Sequence, residues 1–156
     1  MKIQIGQTAP DFALYSSEKS KVKLSDYRGK TTLLLFFPLA FTGVCTKELC
    51  LVRDNIAMYE NLNVQVLAIS VDSPQTLAKF KQDQQLNFIL LSDFNKDVST
   101  LYECLYEVFS LEMKGVSKRS AFVIDKNGIV QFEEILENAG ELPNLGAIQS
   151  VLTTLD

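Results

Sequence analysis

Residues 31–37, Thr-Thr-Leu-Leu-Leu-Phe-Phe, constrain the fold more than any other stretch of the chain. A run that is β-branched, leucine and phenylalanine throughout has no polar face, so it predicts a strand buried on both sides. Such a strand lies inside a sheet with other elements packed over it. Residues 64–71 and 88–91 read as further buried strands. After Pro38 and a loop over 39–44, the spacing predicts one helix from Cys45 or Thr46 to Asn61. Leu49, Val52, Ile56 and Tyr59 form its apolar stripe.

Two short strands, 12–15 and 22–24, are expected around a polar turn, followed by a single helical turn that stops at Gly29. Ser73 caps and Pro74 opens another helix, and residues 97–106 predict a further one. Residues 121–125 and 129–134 form a hairpin about Lys126-Asn127-Gly128, where Asn-Gly is a strong turn signal. An amphipathic helix over 145–155 closes the chain. No repeat, low-complexity segment or linker interrupts the pattern, so residues 1–156 are expected to form one domain. Strands alternating with helices, then a hairpin and a helix, imply an α/β class with a mixed central sheet flanked by helices. The order β-α-β-α-β-β-α is that of the thioredoxin fold, here with an N-terminal β-hairpin and an inserted strand–helix unit.

The 156 residues carry 15 Lys and Arg against 19 Asp and Glu, a net charge of −4 with no basic run. Nucleic acid and anionic membranes are therefore poor partners. Residues 1–10 lack the basic and apolar regions of a signal peptide, and the longest apolar run is too short to span a bilayer. A soluble cytoplasmic protein is the expectation. The three cysteines then read as buried or redox-active thiols rather than a disulfide framework. The chain has no histidine. That excludes Ser-His-Asp and Cys-His nucleophile pairs, His-ligated zinc and an imidazole general base. A catalytic thiol here must be activated by something else.

Cys45 stands where a loop meets the first turn of a helix. Unpaired N–H groups and the positive end of the helix dipole favour a thiolate there. Thr42, three residues earlier, can turn its hydroxyl toward the sulfur, to donate to a substrate oxygen or accept from it. Pro38 ends the strand and shields the loop.

The spacing Pro38-x-x-x-Thr42-x-x-Cys45 resembles the active-site signature of the peroxiredoxins. Gly6-Gln7-x-Ala9-Pro10-Asp11-Phe12, Leu24-Ser25-Asp26-Tyr27-Arg28-Gly29-Lys30 and Arg119-Ser120-x-Phe122-Val123-Ile124-Asp125 look like further landmarks of that family in the expected order. The resemblance implies that Cys45 is the peroxidatic cysteine, that Thr42 and Pro38 shape the peroxide site, and that Arg119 is the pocket arginine. Glu48 matches a position whose carboxylate helps to orient that arginine. The implied reaction reduces hydrogen peroxide and organic hydroperoxides, converting Cys45 to a sulfenic acid. Donors from Thr42, the Cys45 amide and Arg119 would stabilise the leaving oxygen. No metal, flavin or haem is required.

Resolution of the sulfenic acid is open in the sequence. The Cys45-x4-Cys50 spacing resembles the bacterioferritin-comigratory, or Q-type, branch, which implies that Cys50 resolves Cys45 within the chain. The loop before Cys45 looks more like the one-cysteine, AhpE-like branch, in which an external thiol does so. On an intact helix the two Cα atoms lie about 8.7 Å apart, beyond disulfide reach, so a Cys45–Cys50 bond requires the first turns to unwind. Cys104, in the helix expected over 97–106, reads as packing or as a second-choice resolver. A thioredoxin- or glutaredoxin-type reductant and a monomer or homodimer are the expected partners. The competing readings are a thioredoxin-like disulfide reductase, disfavoured by the lack of Cys-x-x-Cys, a copper-delivery protein, disfavoured by the lack of histidine, and a peroxide sensor that passes oxidation to a partner.

Overall fold

Every side chain of strand β3, Thr31–Phe36, is buried, as its composition requires. It runs parallel to β4, Val64–Ser70, on one side and antiparallel to β6, Ser120–Ile124, on the other. β1 (Ala13–Ser16), β2 (Lys21–Lys23), β5 (Ile89–Ser92) and β7 (Val130–Ile135) complete a mixed sheet of order β2-β1-β5-β4-β3-β6-β7. This computed structural model describes residues 3–155. Met1, Lys2 and Asp156 lie outside them, and with the first two goes part of the stretch read above for a signal peptide.

The alternation of side chains along β3 sorts the core into two layers. Leu33, Leu35 and Phe37 pack with Leu49, Val52, Tyr59, Leu77, Phe80, Ile148 and Leu152 on one face. Those partners come from helices α1 (Gly43–Asp54), α2 (Ile56–Asn61), α3 (Pro74–Gln84) and α5 (Leu145–Thr154). Leu34 and Phe36 point the other way, to Phe12, Leu24, Val98 and Tyr102, with α4 (Asp97–Leu101) covering that face. Rings of Phe36, Tyr102 and Phe122 meet edge-on or tilted within 5.9 Å. This is the expected thioredoxin-like architecture, with the β1–β2 hairpin at one edge.

Two helices depart from the sequence expectation. The long helix begins at Gly43, two residues early, and breaks at Asn55. There the Asn55 side-chain amide donates to Leu51 O at 2.8 Å, while its backbone N–H turns to Val52 O. The side chain has taken the acceptor of the regular helical bond, and the backbone tightens into a 3₁₀-type turn. The helix expected over 97–106 stops at Leu101. Glu103 adopts φ 54, Glu103 N–H donates to Thr100 O and Cys104 N–H to Ser99 O. This is a Schellman ending, made without glycine and so silent in the sequence.

Where the sequence does signal a cap, the structure has it: Ser73 accepts from Thr76 N–H at 3.1 Å, with Pro74 at the first helical position. Ser73→Ala is expected to lower stability by about 1 kcal/mol in urea unfolding, with the slope unchanged.

Candidate active site

The site lies at the C-terminal end of β3. Pro38, buried, follows the strand after Phe37. Because β6 runs antiparallel with Ser120 opposite Phe36, Arg119 is delivered to the same end of the sheet. Arg119 also has the parity of Ala121 and Val123, whose side chains face α1, so its side chain reaches under the helix.

The loop between β3 and α1 is tied down by its neighbours. Ala40 N–H donates to Asp72 Oδ2 at 2.8 Å, and the Ser70 hydroxyl donates to the same oxygen at 2.6 Å. Phe41 takes a left-handed backbone, φ 66, uncommon for so bulky a residue, and rests its half-exposed ring against Phe80. Thr42 is the N-cap residue of α1, yet its hydroxyl donates to Leu39 O at 2.7 Å rather than capping. Of the two roles open to Thr42, donor or acceptor, the structure leaves the acceptor.

The first α1 bond runs from Thr46 N–H to Thr42 O. The amides of Gly43, Val44 and Cys45 precede it and have no acceptor within the helix. Cys45 is therefore two residues deeper in the helix end than expected, and only 1% exposed. Arg119 Nη2 donates to its Sγ at 3.4 Å, and Arg119 Nη1 donates to Glu48 Oε1 at 2.6 Å. Arg119 Nε and Nη2 both also donate to Ala139 O, at 3.0 and 2.9 Å. The guanidinium is thus fixed by a carboxylate on one side and a backbone carbonyl on the other, with one edge on the sulfur. Sequence reasoning brings Cys45, Glu48 and Arg119 together as the structure does. It misses Ala139, because a carbonyl acceptor leaves no trace in residue type, and Asp72, whose sole sequence signal is the Ser-Val-Asp-Ser-Pro stretch that begins at the end of β4.

Glu48 is fully buried, and its second oxygen, Oε2, has no hydrogen-bond partner among the described residues. Burial pushes its carboxyl up to about 7 even though Arg119 draws it down. Arg119, also pulled down by burial, is held above its usual range by Glu48 and Cys45.

The other two thiols sit apart. Cys50 is half-buried on α1, its Sγ 3.5 Å from Gln84 Oε1 at the end of α3. Cys104 is not in a helix. It is buried among Leu34, Phe36 and Tyr102, on the face of the sheet opposite Cys45. Burial pushes its thiol up to about 12, against a hydrogen bond with Ser120. All three cysteines are free.

A cavity of about 500 Å³ lies elsewhere, among Tyr15, Ser73, Asp93 and Phe94, and includes none of these residues. No described helix is long and apolar enough to cross a membrane.

Comparison with known proteins converges on one group. The model of the AhpC/TSA family matches residues 5–133. The chain is similar to alkyl hydroperoxide reductase E of Mycobacterium bovis, 42% identical over 143 residues that make up 90% of each chain. It is also similar to peroxiredoxin Bcp of Bacillus subtilis, 38% identical over 130 residues and 82% of each chain. Among solved structures it superposes on peroxidoxin BcpB from Mycobacterium tuberculosis with a TM-score of 0.87 at 26% identity, covering 99% of both chains.

Proposed function

The chain belongs to the AhpC/TSA family of thiol-dependent peroxidases, the peroxiredoxins, and from that premise we propose that Cys45 attacks the peroxide and Cys50 resolves the product. The observation that carries the first assignment is the Arg119 Nη2 to Cys45 Sγ contact at 3.4 Å. A permanent cation bonded to a buried sulfur favours its thiolate and leaves a donor beside the position an incoming peroxide oxygen takes. The free amides at the start of α1 add to the same field. Thr42, with its own proton held by Leu39 O, accepts from the peroxide hydroxyl and orients it. Pro38 keeps water off the sulfur.

In the reaction the sulfur pair forms a bond to the terminal peroxide oxygen, the O–O bond breaks, and Cys45 becomes a sulfenic acid while water or an alcohol departs. Arg119 stabilises charge on the leaving oxygen. Glu48 and Ala139 O hold the guanidinium in position for that task.

Cys50 is favoured as resolver over Cys104 because the sheet stands between Cys104 and Cys45. Cys50 shares α1 with Cys45 and reaches it once the first turns unwind. A thioredoxin- or glutaredoxin-type dithiol then regenerates the enzyme, which works as a monomer or homodimer in the reducing cytoplasm.

Intact-mass analysis after one equivalent of hydrogen peroxide tests both assignments. Wild type is expected to lose about two daltons on closing one disulfide, and Cys50→Ser to gain a single oxygen on Cys45 instead. A disulfide that persists in Cys50→Ser overturns the resolver, and oxidation mapped to another residue overturns Cys45.

A further inference from the structure

Arg119 carries one positive charge and binds two acids, the Cys45 thiol and the Glu48 carboxyl. Exposures of 1%, 0% and 2% for Cys45, Glu48 and Arg119 leave almost no water to screen them. In such a place a net charge is costly. With both acids ionised the triad carries −1, and with both protonated it carries +1. Only the states with one proton on either the sulfur or the carboxyl are neutral.

The hydrogen bonds show where that proton can sit on Glu48. Oε1 accepts from Arg119, whereas Oε2 is buried without a partner. A charged carboxylate with one such oxygen bare is costly in the core, and protonation of Oε2 removes the charge and leaves a hydroxyl free to donate to an incoming oxygen. Among the described residues no other group competes for that proton. Cys45 faces Glu48 from α1 and Arg119 from the edge of β6. The segment after α4 contributes Tyr106, which burial pushes up and keeps neutral and whose hydroxyl donates to Leu136 O. The loop after β7 gives the Arg119 guanidinium the Ala139 carbonyl and carries Glu137, which is exposed and paired with Lys118, and the chain has no histidine.

We infer that Cys45 and Glu48 hold one proton between them over Arg119, so that Glu48 is the resident proton store of the peroxidase reaction. The inference rests on Cys45 being the attacking sulfur. In the resting site the thiol proton passes to Glu48, leaving a thiolate, a neutral carboxyl and the guanidinium. On attack, the sulfur pair forms the S–O bond and the O–O bond breaks. The peroxide's own proton stays on the sulfenic acid. The proton of Glu48 goes to the departing oxygen, which leaves as water or alcohol, and the carboxylate becomes the sole anion on Arg119. Thiolate, carboxylic acid and hydroperoxide give sulfenic acid, carboxylate and alcohol, with charge and protons conserved and the triad neutral throughout. The poise of Glu48 near neutrality agrees with this.

The test uses the full chain carrying Cys50→Ser, so that the sulfenic acid persists. An infrared difference spectrum across oxidation by one equivalent of hydrogen peroxide at neutral pH should lose a carboxylic-acid band and gain a carboxylate band. That arm needs no change at Glu48. Adding Glu48→Gln should abolish both bands and leave the thiolate absorbance at neutral pH undiminished, because the resting sulfur is ionised beside a neutral neighbour in either case. The reaction with peroxide should nevertheless slow by about 10²-fold. Undiminished thiolate with less reaction is a combination that mere orientation of Arg119 does not produce. Oxidation of Cys45 with no carboxyl bands, or thiolate and rate falling together in Glu48→Gln, overturns the inference. Failure of Cys45 to gain oxygen at all sinks the assignment of the attacking sulfur instead.

Discussion

Arg119→Ala is expected to slow peroxide reduction by about 10²–10³-fold, since it removes the donor facing both the sulfur and the leaving oxygen. The same change is expected to destabilise the fold by about 3–5 kcal/mol, because it strands Glu48 in the core without its partner. The loss has a pH dependence. In the wild type the folded chain holds a proton on Glu48, up to about 7, that the unfolded chain gives up in the ordinary carboxylate range. Stability from this group is therefore complete below that range and declines as pH rises toward 7. Without Arg119, nothing opposes burial and the folded carboxyl rises further, so the decline extends to higher pH. Urea unfolding as a function of pH should show the deficit of Arg119→Ala widening from acid to alkaline conditions. A constant deficit would mean that the lost packing, not the charge pair, accounts for it.

The second large effect separates two thiols that are equally inaccessible. Cys45→Ser is expected to reduce peroxide consumption to the uncatalysed background, while Cys104→Ala keeps the wild-type rate. Both side chains are buried, at 1% and 0% exposure, so exposure does not distinguish them. What does is the neighbour each one meets. Cys45 has the Arg119 guanidinium and the open end of α1. Cys104 has aromatic and aliphatic walls, and burial holds its thiol up to about 12, far from reactive at neutral pH. A serine hydroxyl at 45 neither ionises in the working range nor attacks the O–O bond. Peroxide consumption with a dithiol reductant checks both variants, and substantial turnover by Cys45→Ser would refute the assignment.

Much of this was legible in residue order because it depends on residue type at short range. The unbroken apolar run at 31–37, the Ser73-Pro74 start and the Asn127-Gly128 turn each specify local geometry on their own. Pro38, Thr42 and Cys45 fall within one loop and the helix turn that follows it, and were visible together. Arg119 and Glu48, 71 residues apart, were joined by resemblance to a family rather than by any local signal. The misreadings have a different origin. Asn55 breaks a helix whose apolar stripe continues through it, because a side-chain amide competes for a backbone carbonyl. Helix α4 ends at a glutamate in a left-handed conformation where glycine would have announced the stop. The carbonyls of Leu39 and Ala139, which fix Thr42 and Arg119, belong to the backbone that all residues share.

The break at Asn55 bears on how far a disturbance can travel. Had α1 and α2 been a single rod, freeing Cys50 would have strained Tyr59 and its seat in the core. Instead α2 keeps its own seat through Tyr59, and the break lets the first turns of the twelve-residue α1 unwind without turning α2. Under the proposed resolution by Cys50, fraying runs from the start of α1 to about Cys50 and leaves the turn before that joint wound. Rewinding then starts from the intact stump of α1 rather than from a bare coil, which spares the chain the slow step of nucleating a new helix.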